Sequence, residues 1–127
     1  MDKKVIDEPT RFGRNIYISR AGGYALVTVS VFEDEDDKRA FIHDLIVHES
    51  IRGFGFGDKL LNDACHEAKK AGAEVAEIGV QPQSWMEEWY ERRGFMFTGL
   101  RNVYKQDVCA VMEKDLTRRE SAEPQKS

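Results

Sequence analysis

Val47-His48-Glu49-Ser50-Ile51-Arg52-Gly53-Phe54-Gly55-Phe56-Gly57-Asp58-Lys59-Leu60-Leu61 joins an apolar strand to an amphipathic helix through a glycine-rich turn. Arg52, Gly55 and Gly57 stand at R-x-x-G-x-G spacing. Glycine removes side chains where a ligand must approach the backbone closely. The helix behind the turn points unpaired N–H groups and its positive dipole end at that ligand, and an anion is the matching guest. Phosphate is the usual biological anion of that size, so a nucleotide-like cofactor is expected. Spacing excludes two common phosphate motifs. No Lys-Ser or Lys-Thr follows the glycines, as a P-loop requires, and Asp58 occupies the position three after Gly55 where a dinucleotide fingerprint carries glycine.

Two further segments keep a fixed order around this turn. Downstream, Glu88-Trp89-Tyr90-Glu91-Arg92-Arg93-Gly94-Phe95 ends a helix in Y-x-x-x-G-F, and the interval back to the turn holds one helix, one strand and one helix. Upstream lies the strand Phe41-Ile42-His43-Asp44-Leu45-Ile46-Val47. Together the glycine turn and the Tyr90–Phe95 segment resemble the acetyl-CoA-binding segment and closing signature of the GCN5-related N-acetyltransferase (GNAT) family. The upstream strand is similar to the I-E-D-[LF]-x-V segment of the diamine (spermidine/spermine) acetyltransferases, with His43 where those enzymes carry Glu and Asp44 retained.

The resemblance covers about residues 15–116 and implies an α/β (α+β) fold of the GNAT type. That fold has a mixed, mostly antiparallel sheet flanked by helices. It implies acetyl-CoA as cosubstrate, with no metal, and a small-molecule or peptide amine as acceptor. Cofactor contacts fall by resemblance on Leu45, Ile46, Val47, Arg52, Gly53, Phe54, Gly55, Phe56, Gly57, Gln83 and Tyr90. Asp44 and Trp85 are the expected acceptor contacts, and Tyr90 and His43 the expected catalytic groups. An alkyl amine, with a pKa of ~10.4, arrives protonated and must lose a proton to attack. Imidazole, with a pKa of ~6.5, can take that proton. A Tyr hydroxyl can protect the leaving thiolate, and a backbone N–H near Leu45–Val47 can meet the charge that develops on oxygen. His43 and Asp44 alternate along a strand, so their side chains face opposite ways unless a bulge intervenes. A small cationic acceptor is favoured narrowly over a protein lysine or N-terminus. Two other readings stay open: a catalytically inactive acetyl-CoA sensor or regulatory subunit, and a protein-interaction module whose turn is structural.

Composition is compatible with this. The 127 residues suffice for one domain. A net charge of −4 and no Lys/Arg cluster before the tail argue against nucleic acid as partner. No apolar run approaches the ~20 residues of a membrane span, and no signal-peptide core is visible, so a cytoplasmic location is expected. Cys65 and Cys109 show no metal spacing and are expected as buried thiols.

The element pattern predicts one domain over residues 1–116 and a disordered tail over 117–127. Residues 1–13 form a loose lead-in, and strands are expected at 15–19, 24–32, 40–48, 74–80, 95–100 and 108–116. A helix over 57–71 carries the stripe Leu60, Leu61, Ala64, Cys65 and Ala68, and Gly72 caps it. A second helix runs from an N-cap at Ser84 to Arg93, with Glu87 completing a capping box. The lead-in is too short for the helices that the family places between its first two strands. The acceptor site is therefore expected to be open, or covered by a second subunit in a homodimer.

Overall fold

The computed structural model describes residues 2–33, 36–102 and 108–117. Seven strands build one sheet: β1 (Lys4–Pro9), β2 (Gly13–Arg20), β3 (Ala25–Phe32), β4 (Arg39–Val47), β5 (Val75–Val80), β6 (Met96–Asn102) and β7 (Val108–Asp115). Helix α1 (Phe56–Lys70) follows β4 and helix α2 (Trp85–Glu91) follows β5. The spatial order is β1-β2-β3-β4-β5-β7-β6. Neighbours run antiparallel except β4 and β5, which are parallel. This is the expected mixed sheet. The expected tail beyond Thr117 lies outside the described residues.

One face of the sheet carries the core. Ala25, Val27, Val29 and Val31 alternate along β3 and are buried with Ile16 and Ile18 of β2 and Ala40 and Ile42 of β4. Leu60, Leu61, Ala64 and Ala68 of α1, together with Tyr90 of α2 and Phe95 after it, join the same cluster. Each fully buried large aliphatic side chain here contributes about 1.5–3 kcal/mol relative to exposure. Cys65 and Cys109 are only half-buried, so the expectation of buried thiols is corrected. Asp63 and Glu67 of α1 are buried instead. Arg20 holds Asp63 with two hydrogen bonds of 2.7 and 3.1 Å, and Lys3 reaches Glu67 at 3.4 Å. Those partners satisfy the carboxylates that α1 turns towards β2.

The lead-in is a second correction. Residues 4–9 pair antiparallel with β2, from Lys4 opposite Ser19 to Pro9 opposite Arg14. Every residue of β1 is exposed, so no apolar alternation announces it. Backbone pairing and the Asp7–Arg14 ion pair at 2.9 Å hold it in place. Pro9 is tolerated because it ends an edge strand. Residues 10–12 turn the chain straight from β1 into β2, and no helix intervenes. Both helices therefore contribute to one face. On the other face Tyr17, Leu26 and Phe32 are exposed, and Ser30 and Phe41 half-exposed.

Two irregularities in β4 shape the middle of the sheet. His43 pairs with Thr28 and Ile46 with Leu26, so Asp44 and Leu45 together face Val27 alone. Asp44 absorbs the extra residue at φ 60°, a left-handed conformation that asparagine and aspartate tolerate. The bulge reverses the alternation. Before it Ala40 and Ile42 point into the core; after it Leu45 and Val47 pack against the core. Second, β4 pairs with β5 over three positions only, Arg39–Val75, Ala40–Ala76 and Phe41–Glu77. Beyond Phe41 the two strands part, and backbone groups of β4 on that side have no strand partner.

Candidate active site

The glycine turn fills the space beside this parting. Gly53 and Gly55 take φ of 88° and 84°, values that L side chains adopt rarely. Gly55 is the N-cap of α1 and offers no side-chain cap. The helical ladder begins with Lys59 N–H donating to Gly55 O, so the amides of Phe56, Gly57 and Asp58 stay without intrahelical acceptors. Arg52 Nε donates to Val47 O at 3.0 Å, which anchors its guanidinium between strand and turn. A Cβ added at Gly53 or Gly55 would meet nothing within 4 Å. The turn, the end of β4 and α2 enclose a cleft of about 720 Å³, within the ~300–1,000 Å³ range of small-molecule sites. Leu45, Ile46, Val47, Arg52, Gly53, Gly55, Phe56, Gly57 and Tyr90, nine of the expected cofactor contacts, line it.

Asp58 also lines the cleft, where its charge would oppose a phosphate. Arg93 resolves that conflict: its Nε hydrogen-bonds the Asp58 carboxylate and holds its pKa below the ordinary value. The Arg93 guanidinium also lies 3.7 Å over the Trp89 ring and donates to Trp89 O at 2.8 Å. The last turn of α2 is thus fastened to the first turn of α1.

Tyr90 stands where the strands part. Its side chain is 6% exposed and meets Trp89 and Phe95 edge-on at 4.8 and 5.4 Å between ring centroids. Burial, partly offset by the nearby Arg93 charge, pushes the phenol up to about 12. Gly94, at φ 95°, ends the helix, and Phe95 N–H returns to Tyr90 O. That geometry explains the Y-x-x-x-G-F spacing: only glycine turns the chain so sharply, and Phe95 then wedges under Tyr90.

A second cleft of about 480 Å³ opens on the uncovered face. Its lining includes Phe41, His43, Asp44, Glu77, Gly79 and Arg101. Leu45, Met86 and Tyr90 line both clefts. The two clefts therefore adjoin beside the parting of β4 and β5, and these three residues form the waist between them.

Residues 13–95 match the family described as Acetyltransferase (GNAT) family. The chain belongs to the GNAT acetyltransferases. It is an acyltransferase. Solved GNAT structures share the fold. Nourseothricin acetyltransferase superposes with a TM-score of 0.67 at 19% identity, over 91% of this chain and 85% of that one. The ribosomal-protein-S18-alanine N-acetyltransferase from Escherichia coli gives 0.61 at 18%, over 84% and 71%. A GNAT family acetyltransferase from Elizabethkingia anophelis with acetyl-CoA bound gives 0.62 at 17%, over 81% and 76%. No curated protein matches the sequence.

Within this GNAT site the bulge brings together what simple alternation separates. His43 Nδ1 lies 3.3 Å from Asp44 Oδ2, and His43 Nε2 lies 2.9 Å from Ser30 Oγ, which donates to Asn15 Oδ1 at 2.8 Å. Both ring nitrogens of His43 are engaged.

Three expected contacts fall elsewhere. Trp85, expected at the acceptor, is 71% exposed and lines the glycine-turn cleft. Phe54 is 72% exposed at the tip of the turn and lines neither cleft. Gln83 is exposed and lines neither cleft; its φ of 56° aims its N–H at Glu87 Oε2, so Glu87 closes the helix start one residue earlier than a capping box would. Met86, Trp89, Asp58 and Arg101 line the clefts without having been singled out for that role.

Proposed function

We propose that this chain transfers an acetyl group from acetyl-CoA to a primary amine by direct attack, both substrates being held at once. The observation that carries this reading is the meeting of two clefts: one beside the uncapped start of α1, one on the opposite side, with the Tyr90 side chain at the waist between them. The acetyl-CoA bound to the Elizabethkingia anophelis protein supports the donor, and the alanine named for the Escherichia coli enzyme supports an amine acceptor.

The residues present fit the donor. The uncapped start of α1 and Arg52 would hold its pyrophosphate, and the parting of β4 from β5 leaves the β4 backbone at Leu45–Val47 open to its pantetheine arm. Acetyl-CoA supplies the acetyl group as an activated thioester. The freed N–H groups of β4 would stabilise charge on the thioester carbonyl oxygen. Tyr90, at about 12, lies well above a thiol at ~8.5, so it keeps its proton and donates a hydrogen bond to the departing sulfur. Asp44 and His43 act as a pair: the exposed carboxylate meets the ammonium of the acceptor, and the imidazole, with Nε2 held by Ser30, takes the proton the amine loses on Nδ1.

The test is a pair of measurements. Acetyl-CoA and CoA, but not ATP, should raise the melting temperature by several degrees, because ligand at 100 times its Kd adds ~2.7 kcal/mol. His43→Ala should then lower kcat by about tenfold to a hundredfold and leave that shift unchanged. Absence of any shift removes the cofactor assignment; a shift with unchanged kcat in the variant removes His43 from the mechanism.

The uncovered sheet face also favours a homodimer, in which a second copy takes the place of the missing helices. Light scattering at micromolar concentration should give twice the chain mass; a monomer would show that the acceptor cleft works open.

A further inference from the structure

The open cleft holds charge of both signs, and its geometry points to the class of acceptor. This inference rests on the acetyl-transfer reading. On the β4 side Asp44 presents a carboxylate whose side chain is 68% exposed. On the far side Arg101 of β6 presents a guanidinium whose side chain is 56% exposed. Both line the same cleft.

Arg101 is placed there by the sheet rather than by its own strand. It pairs with Cys109, and Gly79 pairs with Val111, so Arg101 begins near the carboxyl end of β5, where the gap opens. From β6 its side chain reaches back across β7, and Nη1 donates to Glu77 Oε2 at 2.8 Å. Glu77 is 5% exposed, and its other oxygen accepts from Arg39 at 3.1 Å. A buried carboxylate with both oxygens engaged is a fixed bracket, so the guanidinium it holds is fixed too. Gly79 leaves the floor beneath clear; a Cβ there would come within 3.0 Å of Cys109 Sγ. Arg39 is spent on other partners, with ion pairs to Asp37, Glu77 and Glu113. Among the described residues Arg101 pairs with Glu77 alone, through one terminal nitrogen, and its remaining donors are available to a ligand.

We propose that the acceptor is a small amino acid derivative in which amine and carboxylate are several bonds apart, such as an ω-amino acid or a dipeptide. The amine enters at the waist beside Asp44, and the carboxylate docks on Arg101. Four strand residues separate Leu45 from the level of Glu77, about 13 Å along the strand at ~3.3 Å per residue. An α-amino acid, with its two charges on neighbouring atoms, is too short to use both groups. A linear diamine would set its second ammonium against Arg101, so the arginine discriminates against it.

Acetyl transfer from acetyl-CoA, followed by thiol release, to 6-aminohexanoate, 1,6-diaminohexane and hexylamine tests this at matched chain length. The expected kcat/KM for 6-aminohexanoate exceeds that for hexylamine by about tenfold to a hundredfold, the range of one charge-assisted hydrogen-bonded contact, and the diamine is poorest. Arg101→Gln should erase the advantage through KM while the acetyl-CoA melting shift persists; loss of the Glu77 partner lowers the melting temperature, and any general loss of turnover cancels in the ratio of 6-aminohexanoate to hexylamine. Arg101→Lys should restore part of it. Equal or better use of the diamine overturns the proposal, as does an acceptor ranking unmoved by Arg101→Gln. If acetyl-CoA binds and none of the three amines is acetylated, the acetyl-transfer reading itself falls, and the acceptor assignment with it.

Discussion

Tyr90→Phe is expected to lower kcat by about a hundredfold or more, the usual weight of a hydrogen-bond donor placed where charge develops, with acetyl-CoA affinity nearly unchanged. The substitution removes one oxygen. The ring keeps its edge-on contacts with Trp89 and Phe95, so the waist keeps its shape. A second readout tests the burial that the role depends on. The folded phenol titrates at about 12, against ~10 in the unfolded chain. As pH rises through ~10 the unfolded state loses this proton and the folded state does not, so stability falls until the folded pKa is reached. Below ~10 the contribution is fully present; above about 12 the loss reaches roughly 3 kcal/mol for this one group. Subtracting the Tyr90→Phe melts from the parent melts across this window isolates it. Parallel curves would mean that the hydroxyl is not sequestered, and an undiminished kcat would mean that it does not serve the sulfur.

Gly55→Val should raise the KM for acetyl-CoA by about a hundredfold and lower the melting temperature by several degrees. The two losses have separate causes. Gly55 sits at φ 84°, where a left-handed conformation costs an L residue ~1–2 kcal/mol and a β-branched one more. The new side chain also occupies the open space that the uncapped start of α1 faces. Gly72→Ala is the control, because Gly72, at φ 101°, follows the other end of α1 and lines neither cleft. It should share the loss of stability and spare KM. If Gly55→Val also spares KM, the turn is structural and the anion site lies elsewhere.

Much of this was legible before any coordinates. Glycines at R-x-x-G-x-G spacing, followed by the apolar stripe of Leu60, Leu61, Ala64 and Ala68, specify a strand-turn-helix unit, since φ preference and helical periodicity are local properties. The Tyr90-to-Gly94 interval is local too: a helix, its left-handed terminator and a buried Phe95 lie within six residues. β1 was not legible, because an all-exposed edge strand is held by pairing with β2 and carries no hydrophobic alternation of its own. Gln83 was misplaced because a positive φ at a non-glycine residue has no sequence signal there. Trp85 was misplaced because a large aromatic at a helix start fits either side of a sheet equally well.

The sequence by itself determined the glycine turn and the helix start that line the first cleft, for each of these parts is set by neighbours along the chain. The tertiary structure decided the second cleft. The bulge at Asp44 depends on how β4 registers against β3, and only that register turns Asp44 and His43 towards each other. Arg101 reaches its cleft only because β7 lies between β5 and β6 and Glu77 is buried beneath it. Pairing register and strand order are properties of distant segments meeting, and a reading confined to short-range patterns carries no information about them.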